Sequence, residues 1–246
     1  MDQNQTIIAA FEMTEGVGTR VRRAFPTALL MSYDPFVLFD EFFVSQSTGF
    51  PEHPHRGFEA LTYMLSGTFR HKDILGNDSE VGAGGVQRFT AGKGIVHSEM
   101  PGLGGHICRG LQLWINLPRR LKHIEPSYQR VSSEKIPQES FDGGRVRTII
   151  GKNSPVKVLT SSSYLDLRLE SQVTYELPLF SEWNSLIYVY NGKIEISGQR
   201  LGQGHVIFLG QQHKKPRVTA LEASGFVFLA GKPHGEAIYH NGPYVD

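Results

Sequence analysis

Four residues in the N-terminal half have the types and the spacing of a metal-binding set. His53 and His55 lie two positions apart in EHPHRGFE, and His97 and Glu99 lie two positions apart in GKGIVHSEMP. In a β-strand, residues two apart point to the same face. Two such strands can converge on one ion, and three neutral imidazoles with a carboxylate suit a divalent transition metal.

The same four residues could instead be polar surface groups near turns. Pro51 and Pro54 lie close to His53 on either side, which favours an edge strand or a turn with surface histidines. A ligand-bearing strand at the rim of a barrel would tolerate these prolines. If the set binds a metal, six-coordinate geometry leaves two positions for substrate and dioxygen, whereas a closed tetrahedral zinc site has no chemistry.

The segments that must position these residues are short and β-like. Runs rich in branched and aromatic residues alternate with Gly, Pro, Asn and Asp, and examples are EALTYMLSGTFRH, LQLWINL, SYLDLRL and FVFLAG. Helical periodicity hardly occurs. Regular short strands separated by turns predict an all-β chain of the sandwich or barrel type.

A faint internal repeat indicates two similar barrels. The segment ALTYMLSGTFRHKD from Ala60 resembles SLIYVYNGKIEISG from Ser185, and GVQRF from Gly85 resembles GHVIF from Gly204. Each copy runs from an apolar strand through a glycine turn to a second strand. Chance similarity between hairpins is the alternative. The polar, proline-containing segment 120–145 is typical of a connection between domains.

Composition excludes several classes of function. The net charge of +1 gives no electrostatic reason to expect direct nucleic-acid binding. Cys108 is the only cysteine, so no intramolecular disulfide can form, and its apolar surroundings favour a buried inert thiol. No signal peptide and no membrane span of ~18 apolar residues is recognisable. We therefore expect a cytoplasmic protein, or a nuclear one if the source is a eukaryote.

The motifs resemble those of the pirin family, in the bicupin branch of the cupin superfamily. The resemblance rests on HPHRGFE, on TAGKGIVHSEMP followed by GLQLWINLP, and on the C-terminal AGKPHGEAIYHNGPYV, and it covers almost the entire chain. Ala237 stands where the C-terminal motif usually has proline. With the repeat, the resemblance predicts two tandem jelly-roll β-barrels, residues 1–125 with a metal site and residues 126–246 without one. We expect a monomer.

The resemblance implies that His53, His55, His97 and Glu99 are the metal ligands. General cupins take their carboxylate from the first motif, which here would be Glu59. The pirin pattern makes Glu99 the ligand and leaves Glu59 to orient a ligand histidine. Because Glu59 lies four residues after His55, strand alternation predicts that both point to the same face.

The second barrel is expected to lack a metal site. The repeat places Pro178, Phe180, Pro216 and Val218 at the positions of the four ligands. We therefore predict that this barrel is structural. The histidines predicted to be ordinary surface or core residues are His205, His213, His234 and His240.

Pirin-like proteins are similar to the quercetin 2,3-dioxygenases, and some have that activity. This implies opening of a flavonol ring by dioxygen with release of carbon monoxide. A metal would lower the pKa of the substrate 3-hydroxyl, dioxygen would react in proximity, and Glu99 or Glu59 could accept the hydroxyl proton. An apolar, aromatic pocket would hold the flat phenol. The candidates close to the ligands in sequence are Phe39, Phe42, Phe43, Phe50 and Phe58.

Two other functions stay open. Eukaryotic pirins are linked to transcription-factor complexes, with the oxidation state of iron as a switch, and some bacterial pirins bind metabolic enzymes. A non-enzymatic metal-binding protein with a protein partner is therefore one alternative, and a structural metal barrel with no open position is the other. The family favours Fe(II), while Ni, Co, Mn, Cu and Zn also fit these ligand types.

Overall fold

The computed structural model describes residues 6–102, 107–212 and 214–246. The chain is nearly all-β, which confirms the predicted fold class. The strands of the first part of the chain are β1 (Thr6–Ala9), β2 (Phe11–Glu15), β3 (Thr19–Phe25), β4 (Phe36–Val44), β5 (Phe50–His55), β6 (Phe58–Ser66), β7 (Thr68–Asp73), β8 (Asp78–Gly82), β9 (Val86–Thr90), β10 (Ile95–Pro101), β11 (Cys108–Asn116) and β12 (Ser127–Val131).

The second part of the chain continues in the same style. Its strands are β13 (Gln138–Phe141), β14 (Gly144–Ile150), β15 (Ser162–Leu169), β16 (Thr174–Glu176), β17 (Asn184–Asn191), β18 (Lys193–Ile196), β19 (Gln199–Gly202), β20 (His205–Gly210), β21 (Arg217–Ala220), β22 (Ser224–Gly231), β23 (His240–Asn241) and β24 (Tyr244–Val245). Short 3-10 helices occur at Arg119–Leu121 and Ser133–Lys135. No helix among the described residues is long and apolar enough to span a membrane.

The chain forms two compact units, and each is discontinuous in sequence. We call them the histidine unit and the apolar unit. The histidine unit comprises Phe11–Ile136, Val158–Thr160 and His234–Asp246. The apolar unit comprises the described residues of Met1–Ala10, Pro137–Lys157 and Ser161–Pro233. This division differs from a linear one between residues 125 and 126, because β1 belongs to the apolar unit while β23 and β24 belong to the histidine unit.

Each unit contains a seven-stranded sheet and a four-stranded sheet with equivalent strand orders. In the histidine unit the orders are β12-β9-β6-β11-β4-β3-β2 and β5-β10-β7-β8. In the apolar unit they are β1-β20-β17-β22-β15-β14-β13 and β16-β21-β18-β19. The predicted repeat is therefore confirmed at the level of topology. β1, which precedes the rest of its unit by more than a hundred residues, takes the edge position that β12 takes in the histidine unit.

The glycine turn of the repeat has the same backbone conformation in both units. Gly67 follows β6 and Gly192 follows β17, each with φ of +75°. A Cβ atom would lie 2.9 Å from the Cα of Cys108 at the first turn and 2.8 Å from the Cα of Ser224 at the second. Both the left-handed conformation and the close approach of another strand therefore require glycine.

Cys108 is buried at the start of β11 and has no reactive environment. Its thiol donates a hydrogen bond to the carbonyl oxygen of Thr68, with Sγ and O 2.8 Å apart. Burial raises the pKa of this thiol. Since the thiolate is the nucleophilic form, these observations agree with the predicted inert role.

Candidate metal centre

The pairing of β5 with β10 brings three of the predicted ligands together. His97 lies opposite His53, and Ile95 lies opposite His55. One ring nitrogen of each histidine lies within 4.8 Å of the others, and the Nε2 atoms of His53 and His97 are 3.1 Å apart. His55 and His97 are buried, while His53 is half-buried. We call these three residues the histidine cluster.

Backbone carbonyl groups fix the tautomers of two rings. The Nδ1 atom of His53 lies 2.6 Å from the carbonyl oxygen of Pro51, and that of His55 lies 3.2 Å from the carbonyl oxygen of Pro243. Because a carbonyl oxygen only accepts, both Nδ1 atoms carry hydrogen, and in the neutral form of each ring the Nε2 atom presents a lone pair. Burial, together with the neighbouring His53, lowers the pKa of His55 to about 3, so this ring is neutral near neutral pH.

The third ring contacts a buried histidine that the sequence motifs did not single out. His71 on β7 lies opposite Glu99, and its Nδ1 atom is 3.4 Å from the Nδ1 atom of His97. On its other side, the Nε2 atom of His71 is 2.9 Å from Oδ2 of Asp73. The carboxylate accepts the Nε2 proton, so the Nδ1 atom of His71 accepts in turn from His97. The Nε2 atom of His97 is then also left with a lone pair.

This donor set fits a divalent transition metal ion. When all three rings are neutral, three unprotonated nitrogens face one another and their lone pairs repel. A cation among them removes the repulsion, and neutral imidazole nitrogens held by hydrogen bonds on the far side of the ring are the usual form of such ligands. Burial also lowers the pKa of His97 well below its ordinary value, which keeps this ligand neutral.

Glu99 belongs to a second cluster that overlaps the first. Its carboxylate and ring nitrogens of His71 and His97 lie within 4.8 Å of one another. Glu99 is buried, and donors from three strands hold its two oxygens. These donors are the Thr62 hydroxyl at 3.1 Å, the Gln87 amide at 2.6 Å and the Gln112 amide at 2.9 Å. The assignment of Glu99 as the fourth ligand stays a prediction.

Glu59 does not point to the face that strand alternation predicted. β5 and β6 belong to different sheets, and Gly57 between them has φ of +86°, which interrupts the alternation. On β6, Glu59 and Thr62 point to opposite faces, and Thr62 is the one that contacts the second cluster. The Glu59 carboxylate instead accepts hydrogen bonds from the Thr90 hydroxyl at 2.9 Å and the Leu159 backbone N–H at 2.7 Å. The prediction of a shared face with His55 was wrong.

An open cavity of about 610 Å³ lies against the histidine cluster. His53, His55 and Glu99 contribute to its lining, and Leu38 and Trp114 add apolar wall. Of the phenylalanines predicted to form a pocket, Phe50 lines the cavity. Three others are buried core residues: Phe39, Phe42 and Phe58. The remaining one, Phe43, packs under the guanidinium group of Arg20, which lies 4.0 Å from the ring centroid.

A charged pair that the motifs did not reveal forms another part of the cavity wall. Arg23 makes two hydrogen bonds to Asp40, of 2.9 and 2.7 Å, and contacts Glu15 at 2.8 Å. All three residues line the cavity. Burial raises the pKa of Asp40 to about 6 although Arg23 opposes the shift.

The histidines predicted to be ordinary have different surroundings. Among the described ones, His205 lies in the apolar unit, where its Nδ1 atom is 3.2 Å from the carbonyl oxygen of Gly202. His234 and His240 belong to the histidine unit, and His240 lines the cavity. His213 lies outside the described residues. Both candidate metal clusters found among the described residues lie in the histidine unit.

The register of the apolar unit corrects one predicted equivalence. Leu177 donates its backbone N–H to the carbonyl oxygen of Pro216, at 2.8 Å. Leu177 therefore lies opposite Pro216 as His53 lies opposite His97, and the matching residue is not Pro178. The fully buried Leu177 has no metal-binding atom, so the expected lack of ligands at this position is unchanged.

Comparisons with known proteins agree with this architecture. The family models named Pirin and Pirin C-terminal cupin domain match residues 18–115 and 164–246. A pirin-like protein of Caulobacter vibrioides is 38% identical, over 97% of this chain and 90% of that protein. Human pirin is 39% identical, over 95% of this chain and 84% of that protein.

Solved structures show the same fold. A quercetin 2,3-dioxygenase from Acinetobacter baumannii superposes with a TM-score of 0.91 at 27% identity, covering 98% of this chain and 90% of that one. A bacterial pirin from Escherichia coli, in complex with nickel(II), superposes with a TM-score of 0.76 at 23% identity, covering 93% and 99%.

Proposed function

Because this chain belongs to the pirin family of bicupin proteins, we propose that it is a metal-dependent dioxygenase. Its substrate would be a flavonol such as quercetin, or another enolisable phenol, whose ring dioxygen opens with release of carbon monoxide. The similarity to a quercetin 2,3-dioxygenase supports the choice of reaction.

The openness of the histidine cluster supports the proposal most directly. A structural metal site is closed by protein ligands, whereas a catalytic site keeps a position for water or substrate. Here the cluster borders a cavity of about 610 Å³, which lies within the range of ~300–1,000 Å³ for small-molecule sites. The cavity combines apolar wall from Leu38, Phe50 and Trp114, against which a flat aromatic molecule could lie, with charged and polar side chains that could fix its orientation.

The side chains around the cavity have different proposed roles. His53, His55 and His97 would hold the metal, with Glu99 as the predicted fourth ligand. A bound divalent metal would supply Lewis-acid chemistry that lowers the pKa of a substrate hydroxyl. The apolar wall would orient the phenol and exclude water from it.

Asp40 is the carboxylate that we assign as acceptor of the hydroxyl proton. It lines the cavity, and burial raises its pKa to about 6, which suits proton exchange near neutral pH. Glu99, which the motifs also offered as a base, is less suitable because it is the predicted fourth metal ligand, and a carboxylate bound to a metal is a weaker base. Glu59 hydrogen-bonds to Thr90 and Leu159 and has no part in this step.

Reconstitution tests the proposed reaction. Protein stripped with a chelator would be loaded separately with Fe(II), Mn, Co, Ni or Cu, and oxygen consumption and carbon monoxide release would be measured with quercetin. We propose Fe(II) as the native metal on the family resemblance. At least one metal should give equal amounts of oxygen consumed and carbon monoxide released, and inactivity with all five would overturn the proposal.

Three variants give the assay its controls. His97→Ala should abolish turnover by loss of the metal. Asp40→Asn should retain the metal and lose turnover, because the acceptor of the proton is removed. His205→Ala, in the apolar unit, should leave turnover unchanged.

A further inference from the structure

We propose that Asp73 and His71 act as positioning residues for His97, and that through His97 they tune a metal ion held by the histidine cluster. The three side chains form a line of hydrogen bonds from a carboxylate to a ligand. This inference rests on the proposed metal site, and it does not depend on the dioxygenase reaction.

The outer end of the line is a fixed carboxylate. The side chains of Asp73 and His71 are both fully buried. Oδ1 of Asp73 accepts the backbone N–H groups of Leu75 and Asn77, at 2.9 and 3.1 Å, and the side-chain amide of Asn77 donates to both carboxylate oxygens. The tight turn after β7 therefore holds the carboxylate in one orientation, with Oδ2 directed at His71.

Stacking fixes the middle of the line. The ring of His71 lies against the ring of Tyr128, with centroids 4.2 Å apart and planes at 14°. The Tyr128 hydroxyl is itself held by Ser79, at 2.7 Å. Rotation of the imidazole out of its plane would break this stacking, and a half-turn flip of the ring would break the hydrogen bond to Asp73. His71 is thus kept with one nitrogen toward the carboxylate and the other toward His97.

With all rings neutral, the hydrogen bonds have only one consistent direction. Asp73 accepts the Nε2 proton of His71, His71 accepts the Nδ1 proton of His97, and the Nε2 atom of His97 keeps its lone pair for a metal. Without the carboxylate, His71 could carry its proton on Nδ1 instead. His97 would then accept at Nδ1 and carry its own proton on Nε2, which is the form that cannot bind the metal.

His97 differs in this respect from the other two members of the cluster. His53 and His55 donate to neutral carbonyl oxygens of Pro51 and Pro243. Only His97, among the three, is linked to an anionic group. A carboxylate behind a ligand histidine makes it more basic, which favours the higher oxidation state of a redox metal. Asp73 should therefore lower the midpoint potential of iron bound at the cluster.

Two variants test the line against a matched control. Asp73→Asn keeps the shape and removes the charge, while His71→Gln offers an amide oxygen to His97 but cuts the connection to Asp73. Asp78→Asn, on the neighbouring strand, removes an exposed carboxylate that pairs with Arg70. Each protein would be measured for metal stoichiometry, for affinity by competition with a coloured chelator, and for the midpoint potential of the iron-loaded form. Thermal unfolding of the metal-free proteins would show that each variant folds.

We expect Asp73→Asn to weaken metal binding by ~10–100-fold, the usual effect of removing a group behind a ligand, and to raise the midpoint potential. His71→Gln should raise the potential similarly with a smaller loss of affinity, and Asp78→Asn should change neither quantity. Wild-type affinity and potential in Asp73→Asn would overturn the inference, and if that variant fails to fold, the same result in His71→Gln would do so.

The overlapping cluster of His71, His97 and Glu99 offers a rival arrangement, in which His71 is itself a ligand of a second ion. Two metal equivalents in the wild type, with one lost in His71→Gln, would establish that rival and overturn the positioning role. None of these readouts uses quercetin, so an inactive but metal-binding protein would refute the proposed reaction and leave this inference standing.

Discussion

The histidine unit and the apolar unit share one strand order but fill it with opposite chemistry. Glu99 faces His71 across β10 and β7, and at the equivalent register Val218 faces Ile196 across β21 and β18. Polar residues inside the histidine unit are replaced by apolar ones at other equivalent positions too. Thr62, Gln87 and Gln112 of the histidine unit correspond to Ile187, Ile207 and Phe228 of the apolar unit.

The comparison shows what the polar interior requires. The apolar residues merge into one continuous core cluster, whereas the polar ones depend on each other, since Glu99 accepts from three side chains at once. An unpaired buried polar group costs ~1–3 kcal/mol, so such an interior persists only when every group has a partner. The shared topology therefore supports either interior, and the chemistry comes from the residues placed on it.

The substitution with the largest expected effect places a carboxylate, like that of Glu99 in the histidine unit, at the equivalent position of the apolar unit. Val218→Glu would bury a carboxylate among Ile and Leu side chains without the donors that hold Glu99. We expect the free energy of unfolding to fall by ~3–5 kcal/mol, as for other uncompensated buried charges, measured by urea denaturation. Val218→Thr, which has a similar shape and no charge, is the control and should cost less. An unchanged midpoint for Val218→Glu would mean that this interior already accommodates charge.

Loss of a metal ligand should have the second-largest effect. His97→Ala removes one of three converging nitrogens, and we expect metal affinity to fall by more than about 100-fold, which corresponds to ~2.7 kcal/mol. Elemental analysis after dialysis would measure the retained metal. His205→Ala in the apolar unit should keep the full complement, and full retention by His97→Ala would refute the ligand assignment.

The shared scaffold itself can be probed at the glycine turns. Gly67→Ala and Gly192→Ala both place a Cβ on a residue with φ of +75° and against another strand. Each should lower the free energy of unfolding by ~1–3 kcal/mol, and the two losses should be similar. A large loss at one turn and none at the other would show that the two turns are not structurally equivalent.

The smallest effect is expected at Glu59. Glu59→Gln weakens the hydrogen bonds from Thr90 and Leu159, at a cost of ~1 kcal/mol in the free energy of unfolding. Metal content should stay at the wild-type value, because the side chain lies on the face of β6 away from the cluster. If the variant loses metal instead, Glu59 and not Glu99 is the carboxylate ligand of the site.

The sequence predicted those features that depend on local alternation or on a repeat. Residues two apart in one strand share a face, so the spacing alone paired His53 with His55 and His97 with Glu99. Gly67 and Gly192 marked the same turn twice. These signals were sufficient for the fold class, the duplication and most of the candidate site.

Features that depend on strand register or on long-range pairing could not be predicted in this way. His71 and Asp73 have the same two-residue spacing in HKD, but only the pairing of β7 with β10 brings His71 to His97. Glu59 was placed wrongly because Gly57 ends the alternation between two strands that join different sheets. The position of β1 in the sheet could not be predicted because its partner, β20, is separated from it by most of the sequence.

The carbonyl oxygen that fixes the tautomer of His55 belongs to Pro243, 188 residues further along the chain. During synthesis on a ribosome, the strands that carry the histidines emerge long before this acceptor does. Until then His55 can take up its proton on either nitrogen, and only one of the two forms can bind metal through Nε2. A nascent chain therefore carries the histidines before it contains the acceptor that fixes the tautomer of His55.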